Sequence, residues 1–74
     1  MFEHDQTIVQ QLLSENLHFK LLYVKHQKLN DKVDKAGSGV LPLDDVTLEN
    51  MKKERLLLMD KMALLIHKHR REGA

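Results

Sequence analysis

The sequence predicts an all-α fold, an antiparallel two-helix hairpin that forms one domain over residues 1–74. Three observations support this prediction. Good helix formers such as Leu, Lys, Glu, Gln and Met dominate the composition. Apolar residues recur at steps of three and four, which is the period of a helix. The only proline and two of the three glycines lie together near the middle of the chain, where a hairpin would turn.

The first helix is predicted over about residues 5–36. Its apolar stripe consists of Ile8, Leu12, Phe19, Leu22, Leu29 and Val33, with His26 among them. Ser14, Glu15 and Asn16 interrupt this stripe, and Ser and Asn favour helix caps over helix interiors. Two alternatives therefore stay open, a kink near Ser14–Asn16 or a fresh helix start there.

The turn of the hairpin is predicted at residues 36–43, AGSGVLPL, because glycine and proline end helices. Asp44 is expected to cap the second helix, and Asp45 suits the positive end of its dipole. The loop should therefore occupy about residues 37–44, and the second helix about residues 45–71.

Both helices carry more apolar surface than a hairpin can cover. The predicted core is Leu12, Phe19, Leu22, His26, Leu29, Val33, Met51, Leu58, Met62 and Leu65. A second apolar set remains outside it, namely Leu13, Leu17, Leu21, Val24, Leu56, Met59, Ala63 and Ile66. Because a neighbouring helix covers only one face, we expect this set to form a protein interface. The expected assembly is a homo-oligomer, in which two chains make a four-helix bundle.

The length of the chain also favours association. A chain this short buries only about 60% of its unfolded surface, which makes a lone monomer marginal. Such scaffolds usually need a disulfide, a metal or a partner chain. The sequence has no cysteine, so disulfides and thiolate metal sites are excluded. The remaining ways to stabilise the chain are association with another chain or very regular helix packing.

Residues along nearly the whole chain resemble the YdcH family of small bacterial proteins of unknown function. The matching positions are Met1, Phe2, Asn16, Phe19, Leu22, His26, Leu29, Asn30, Val33 and the block 51–62, MKKERLLLMDKM. The block resembles the family pattern Leu-Lys-Lys-x-Lys-Leu-x-Leu-Lys-Asp-x-Ile. The resemblance implies a helical hairpin, and it implies no activity, cofactor or catalytic residue.

Three positions depart from the family pattern. Asn30 stands where Asp is common, and Met59 replaces a usual Lys. Leu17 replaces a residue that is often Pro in relatives, which argues against a sharp break after Asn16.

The five histidines do not have the spacing of a metal site, so we expect no bound metal. They are His4, His18, His26, His67 and His69. Two histidines that hold one ion on a helix stand three or four residues apart, whereas His67 and His69 are separated by about 200°. His26 is expected to be buried and hydrogen-bonded to a neighbouring side chain. Alternatively, it is a polar residue that sets the register of the helices, in which case His26→Leu would raise stability.

The sequence also lacks the motifs of catalysis. No Ser/His/Asp arrangement is present, and Val40–Leu43 separates Gly37-Ser38-Gly39 from the next helix, so a phosphate-binding nest is not expected. A hairpin cannot enclose a pocket of about 300 Å³. We therefore expect a protein that is not an enzyme and binds no cofactor.

Nucleic-acid binding is the main alternative function. Its candidate patch is Lys52, Lys53, Arg55, Lys68, Arg70 and Arg71. Such clusters can contact phosphates, but cations near a helix C-terminus also complement the helix dipole. Acidic residues are interleaved among them, and the formal net charge is only +1.

We expect no membrane-spanning segment, because no apolar run approaches about 18 residues. The N-terminus lacks the pattern of a secretory signal, which predicts a cytoplasmic protein. The sequence favours a small protein–protein interaction module, an adaptor or regulatory factor for an unidentified partner.

Overall fold

The fold consists of three α-helices preceded by one short helical turn. The computed structural model describes residues 2–73, and of Glu3 the backbone only. A 3-10 turn (Glu3–Asp5) leads into α1 (Gln6–Glu15), α2 (Leu17–Gly37) and α3 (Asp45–Gly73). The predicted all-α class is confirmed, and the described range contains no strand. α2 and α3 form the antiparallel hairpin, and α1 packs against both.

Asn16 divides the first predicted helix in two, so a fresh helix start forms there instead of a kink, and the described chain has three α-helices where a two-helix hairpin was predicted. The backbone of Asn16 is extended, with φ −123° and ψ 104°. Its side-chain Oδ1 accepts a hydrogen bond from the Phe19 N–H at 3.0 Å, which caps α2. Its own N–H donates to the Leu12 carbonyl at 2.8 Å, which closes α1. The break therefore forms with Leu17 in place of the proline of relatives, because the asparagine side chain is sufficient.

We expect Asn16→Ala to lower the free energy of unfolding by about 1 kcal/mol, because the Phe19 N–H loses its acceptor. Urea unfolding followed by circular dichroism measures this change. Asn50→Ala is the matched control, since Asn50 is exposed inside α3 and its replacement should cost nothing. An equal response of the two variants would contradict the capping role of Asn16.

The turn of the hairpin has the glycine-rich helix end and the aspartate cap that the sequence predicts. α2 ends at Gly37, and the N–H groups of Val40 and Leu41 both donate to the Lys35 carbonyl, at 2.9 and 3.1 Å. Gly39 has φ 82°, a left-handed conformation that glycine adopts without steric cost. Asp44 accepts a hydrogen bond from the Thr47 N–H at 3.3 Å, so the predicted cap of the last helix is confirmed.

The core lies along the α2–α3 seam, where Phe19 and Met62 are fully buried. The buried residues are Val9, Leu12, Phe19, Leu22, His26, Leu29, Val33, Leu58, Met62 and Ile66. Two predicted core residues, Met51 and Leu65, are only partly buried at its edge.

Val9 is a core residue that the sequence prediction missed. On one uninterrupted helix, Ile8 would share the face of Phe19 and Val9 would point aside. The extended Asn16 rotates α1 about its axis, so Val9 is buried and Ile8 is only partly buried. Leu13, which was assigned to the outer interface, consequently packs against the core.

Candidate protein-binding surfaces

The side of α2 that faces away from α3 carries an exposed apolar cluster. Leu17, Leu21 and Val24 are 72%, 60% and 42% exposed, and we call them the α2 outer face. Their steps of four and three residues place them on one side of the helix, opposite Phe19 and His26. These three predicted interface residues are therefore accessible in the folded chain.

Lysines surround the α2 outer face. Lys20, Lys28, Lys32 and Lys35 are exposed, and none forms an ion pair with a carboxylate among the described side chains. Lys25 differs, because its Nζ lies 3.1 Å from the Glu54 Oε1 across the hairpin. The α2 outer face is therefore apolar, with Lys20 beside it and Lys28 one turn after Val24, whereas Lys32 and Lys35 lie further along α2 among Asp31 and Asp34.

A second apolar cluster lies on the outside of α3. Leu57 and Leu64 are 53% and 69% exposed and stand seven residues apart, so they share one side of the helix. We call this pair the α3 outer face, and Leu56 and Ala63 are exposed beside it. The sequence prediction found Leu56 and Ala63 and missed the pair, although its seven-residue spacing was visible.

Two α3 residues assigned to the outer interface lie elsewhere in the structure. Ile66 is 4% exposed and belongs to the core, and Met59 is partly buried against it. The reason is helical phase, because Ile66 follows Met62 by four residues and lies one turn further along the same side. Ile66 is therefore not available to a partner, and Met59 is available only in part.

The basic residues proposed for nucleic-acid binding are mostly engaged by neighbours. Lys52 pairs with Glu49 at 3.6 Å, Lys68 pairs with Glu72 at 4.0 Å, and Arg70 pairs with Asp5. The half-buried Arg55 donates to the Asn30 Oδ1 at 3.0 Å. Lys53 and Arg71, which form no ion pair with described carboxylates, stand about 27 Å apart along α3. The six residues therefore do not form one compact phosphate-binding patch.

His26 is the only polar residue in the buried set, with 7% of its surface exposed. The expected hydrogen bond to a neighbouring side chain is not present, because neither ring nitrogen has a partner. Burial lowers the pKa of His26 below its ordinary value, and the positive charge of Arg55 lowers it further. The folded chain therefore favours the neutral imidazole.

Polar pairs join the helices on both sides of the core. Asn30 and Arg55 form one hydrogen bond between α2 and α3, and Lys25 and Glu54 form an ion pair beside it. At the other end, the Nε2 of His69 lies 3.0 Å from the Oε1 of Gln11, which joins α3 to α1. These directional contacts fix how the helices are placed along one another.

The surface offers little enclosure for a small molecule. A cleft of about 130 Å³ lies where the α1–α2 break meets α3 and includes Asn16 and His69 in its lining. A wider depression of about 600 Å³ is lined by α3 residues alone, between Leu64 and Glu72, so no second element closes it. Among the described residues, no three His, Asp or Glu side chains converge as metal ligands. No described helix is long and apolar enough to cross a membrane.

The chain matches a known protein family. A family model described as "Protein of unknown function (DUF465)" matches residues 19–66, which is more than half of the chain. The chain belongs to the DUF465 family. This agrees with the resemblance to the YdcH family. No curated protein and no solved structure matches the chain.

The DUF465 match corresponds to the α2–α3 hairpin. It begins at Phe19 and ends at Ile66, two buried residues that pack in the same core cluster. The α3 outer face lies inside the matched range, as do Leu21 and Val24 of the α2 outer face. Lys68, Arg70 and Arg71 lie beyond it, as does all of α1.

Proposed function

We propose that this chain is a small non-enzymatic protein–protein interaction module that serves as an adaptor or regulatory factor. The observation that carries this function is the exposure of leucines on the outer sides of both long helices, 72% at Leu17, 60% at Leu21 and 69% at Leu64. Single exposed apolar residues are common on folded proteins. Clusters at helical spacing with a polar surround are typical of binding surfaces.

We further propose that two chains associate through their α3 outer faces, so that two hairpins make a four-helix assembly. Asp60 and Lys61 are exposed between Leu57 and Leu64. An antiparallel two-fold pairing of α3 places Leu57 opposite the second copy's Leu64, and Asp60 opposite its Lys61. The surface is thus complementary to itself in both shape and charge, as a symmetric interface requires.

A binding role also agrees with the absence of a suitable reaction site in the described part of the chain. The cleft of about 130 Å³ near Asn16 is smaller than the roughly 300 Å³ of small-molecule sites, and the depression of about 600 Å³ is lined by α3 alone and is not enclosed. Among the described side chains, His26 is the one buried titratable group, and it lines neither the cleft nor the depression. These observations support a module that works through its surfaces.

Weak nucleic-acid binding through the α3 basic residues is the alternative, and it has less support. Four of its six residues already contact neighbouring side chains in the folded chain. Binding of this kind would weaken steeply as the salt concentration rises.

Sedimentation of the purified chain over a range of concentrations tests self-association. We expect the wild-type chain to form a dimer and Leu64→Glu to remain a monomer, because the new carboxylate would be buried among leucines. Val40→Glu is the matched control, since Val40 is 72% exposed but lies in the loop. It should leave the dimer intact. A wild-type chain that stays monomeric at every concentration would refute self-association.

A further inference from the structure

We propose that the α2 outer face binds an amphipathic helix whose apolar seam is flanked by Asp and Glu. This inference rests on the proposed interaction function and names the chemistry of the partner. It concerns the outer side of α2, whereas self-association is assigned to the outer side of α3.

The apolar anchors have the spacing that a partner helix needs. Leu17, Leu21 and Val24 are related as i, i+4 and i+7, which is the usual pattern of anchors in helix-to-helix docking. They extend over about 10 Å, or two helical turns. The seam ends after Val24, because the next positions on this side are Lys28 and Asp31. A short helical segment therefore matches the apolar area.

The residues beside the seam select the charge of the partner. With Leu21 at an a position of a heptad, the e and g positions beside the seam are occupied by His18, Lys20, Lys25 and Gln27. None of these is acidic. The acidic residues of α2, Asp31 and Asp34, lie toward its C-terminal end beyond the apolar seam. Lys25 is held by Glu54, so the cations available to a partner are Lys20 beside the seam and Lys28 at its end.

A second copy of the chain does not fit this surface. In a parallel pairing, Lys20 of one α2 would face Lys25 of the other, and an antiparallel pairing centred on Leu21 would also bring only Lys, His and Gln to the flanks of the seam. Like charges at these positions disfavour association. Glutamates or aspartates of another protein would instead meet Lys20 and Lys28 with opposite charge.

The chemistry of the seam separates a helical partner from a membrane or a nucleic acid. An interfacial membrane helix presents a long apolar face with large anchors, whereas this one offers three aliphatic side chains and no aromatic ring. Nucleic-acid backbones are bound by cations and do not need an exposed leucine seam. The combination of apolar anchors with flanking lysines favours an acidic amphipathic helix.

The test uses the full chain and two synthetic peptides with the same leucine seam, one flanked by Glu and one flanked by Lys. Fluorescence anisotropy of labelled peptide measures the affinity. We expect the Glu peptide to bind at least about tenfold more tightly, because each flanking ion pair is replaced by a repulsion in the Lys peptide. Equal affinity for the two peptides, or no binding of either, would overturn the proposal.

Variants identify the surface. Leu21→Glu should weaken binding of the Glu peptide by about tenfold or more, and Val40→Glu should leave it unchanged. The double variant Lys20→Glu/Lys28→Glu should reverse the preference and bind the Lys peptide more tightly. Circular dichroism of each variant confirms that the helices form, and unchanged preference in a folded double variant would also overturn the proposal.

Competition with DNA or lipid vesicles tests other classes of partner. Sedimentation separates the proposal of an acidic helical partner from the proposal of self-association. Duplex DNA or anionic phosphatidylserine vesicles that bind with the same dependence on Leu21 would assign the surface to phosphates and overturn the acidic helix. If the Glu peptide fails while the chain still dimerises through Leu64, the interaction function stands and this inference falls. If the Glu peptide does not bind and the chain does not dimerise, both proposals are wrong.

Discussion

Replacing Phe19 with alanine is expected to unfold most of the chain. Phe19 is fully buried and packs with Leu22, Met62 and Ile66 in the core cluster. Removal of a buried phenyl ring costs about 3–5 kcal/mol, through lost burial and the cavity that remains. A core of this size rarely supplies more than about 3–5 kcal/mol in total. The loss is therefore comparable with the whole stability of the monomer.

Far-UV circular dichroism at low protein concentration measures this effect as a loss of helical signal. Leu17→Ala is the control, because Leu17 is 72% exposed two residues away on the same helix. Its replacement should change the free energy of unfolding by less than about 0.5 kcal/mol. A folded Phe19→Ala chain with a normal thermal transition would show that another part of the molecule carries the stability.

His26→Leu is expected to raise the free energy of unfolding by about 1–3 kcal/mol at neutral pH. The two ring nitrogens of His26 are buried without hydrogen-bond partners, so the folded chain bears their desolvation cost. Leucine is similar in size and brings no polar atom into the core. His18→Leu makes the same chemical change on the exposed side of α2 and should shift stability by less than about 0.5 kcal/mol.

His26→Leu should also change how the free energy of unfolding depends on pH. The pKa of His26 is lowered in the folded chain by burial and by Arg55, whereas the unfolded chain titrates near the ordinary value of about 6.5. As the pH falls through about 6.5, the unfolded chain binds a proton more readily than the folded chain, and stability is lost. Urea titrations at several pH values should show a weaker acid loss in His26→Leu. An identical acid loss in both chains would contradict the buried, neutral His26.

The α2–α3 hairpin could be predicted from the sequence because its signals are local. The three-and-four spacing of Phe19, Leu22 and Leu29 identifies one buried face, and Leu58 and Met62 identify the other. Gly39 and the Asp44 cap act within a few residues of themselves, so the turn was visible in the same way.

The break at Asn16 was harder to predict, since an asparagine can kink a helix, cap a new one or remain inside it. Its hydrogen bond to the Phe19 N–H selects the second of these, and the resulting change in phase exchanges Val9 for Ile8 in the core. The loss of Ile66 from the proposed interface has a related cause. Its helical angle lies between the core stripe and the outer stripe, and only the placement of the neighbouring helices decides between them.

His26 shows a different limit of sequence reasoning. Its position on the apolar stripe predicts burial, which the structure confirms at 7% exposure. Whether a buried imidazole finds a hydrogen-bond partner depends on the side chains that surround it from both helices. The guanidinium of Arg55 donates to Asn30. Its positive charge lowers the pKa of His26, and it offers the imidazole no hydrogen-bond acceptor.

The short loop of residues 38–44 has a consequence for how fast the chain folds. It joins the two longest helices, so the end of α2 meets the start of α3 once this short loop has closed. Closing a loop of about ten residues takes tens of nanoseconds, and helical domains with such local contacts fold in microseconds to milliseconds. We therefore expect the contacts between α2 and α3 to form first next to the loop and then progressively away from it. α1, a ten-residue helix too short to persist alone, then docks last on a surface that already exists.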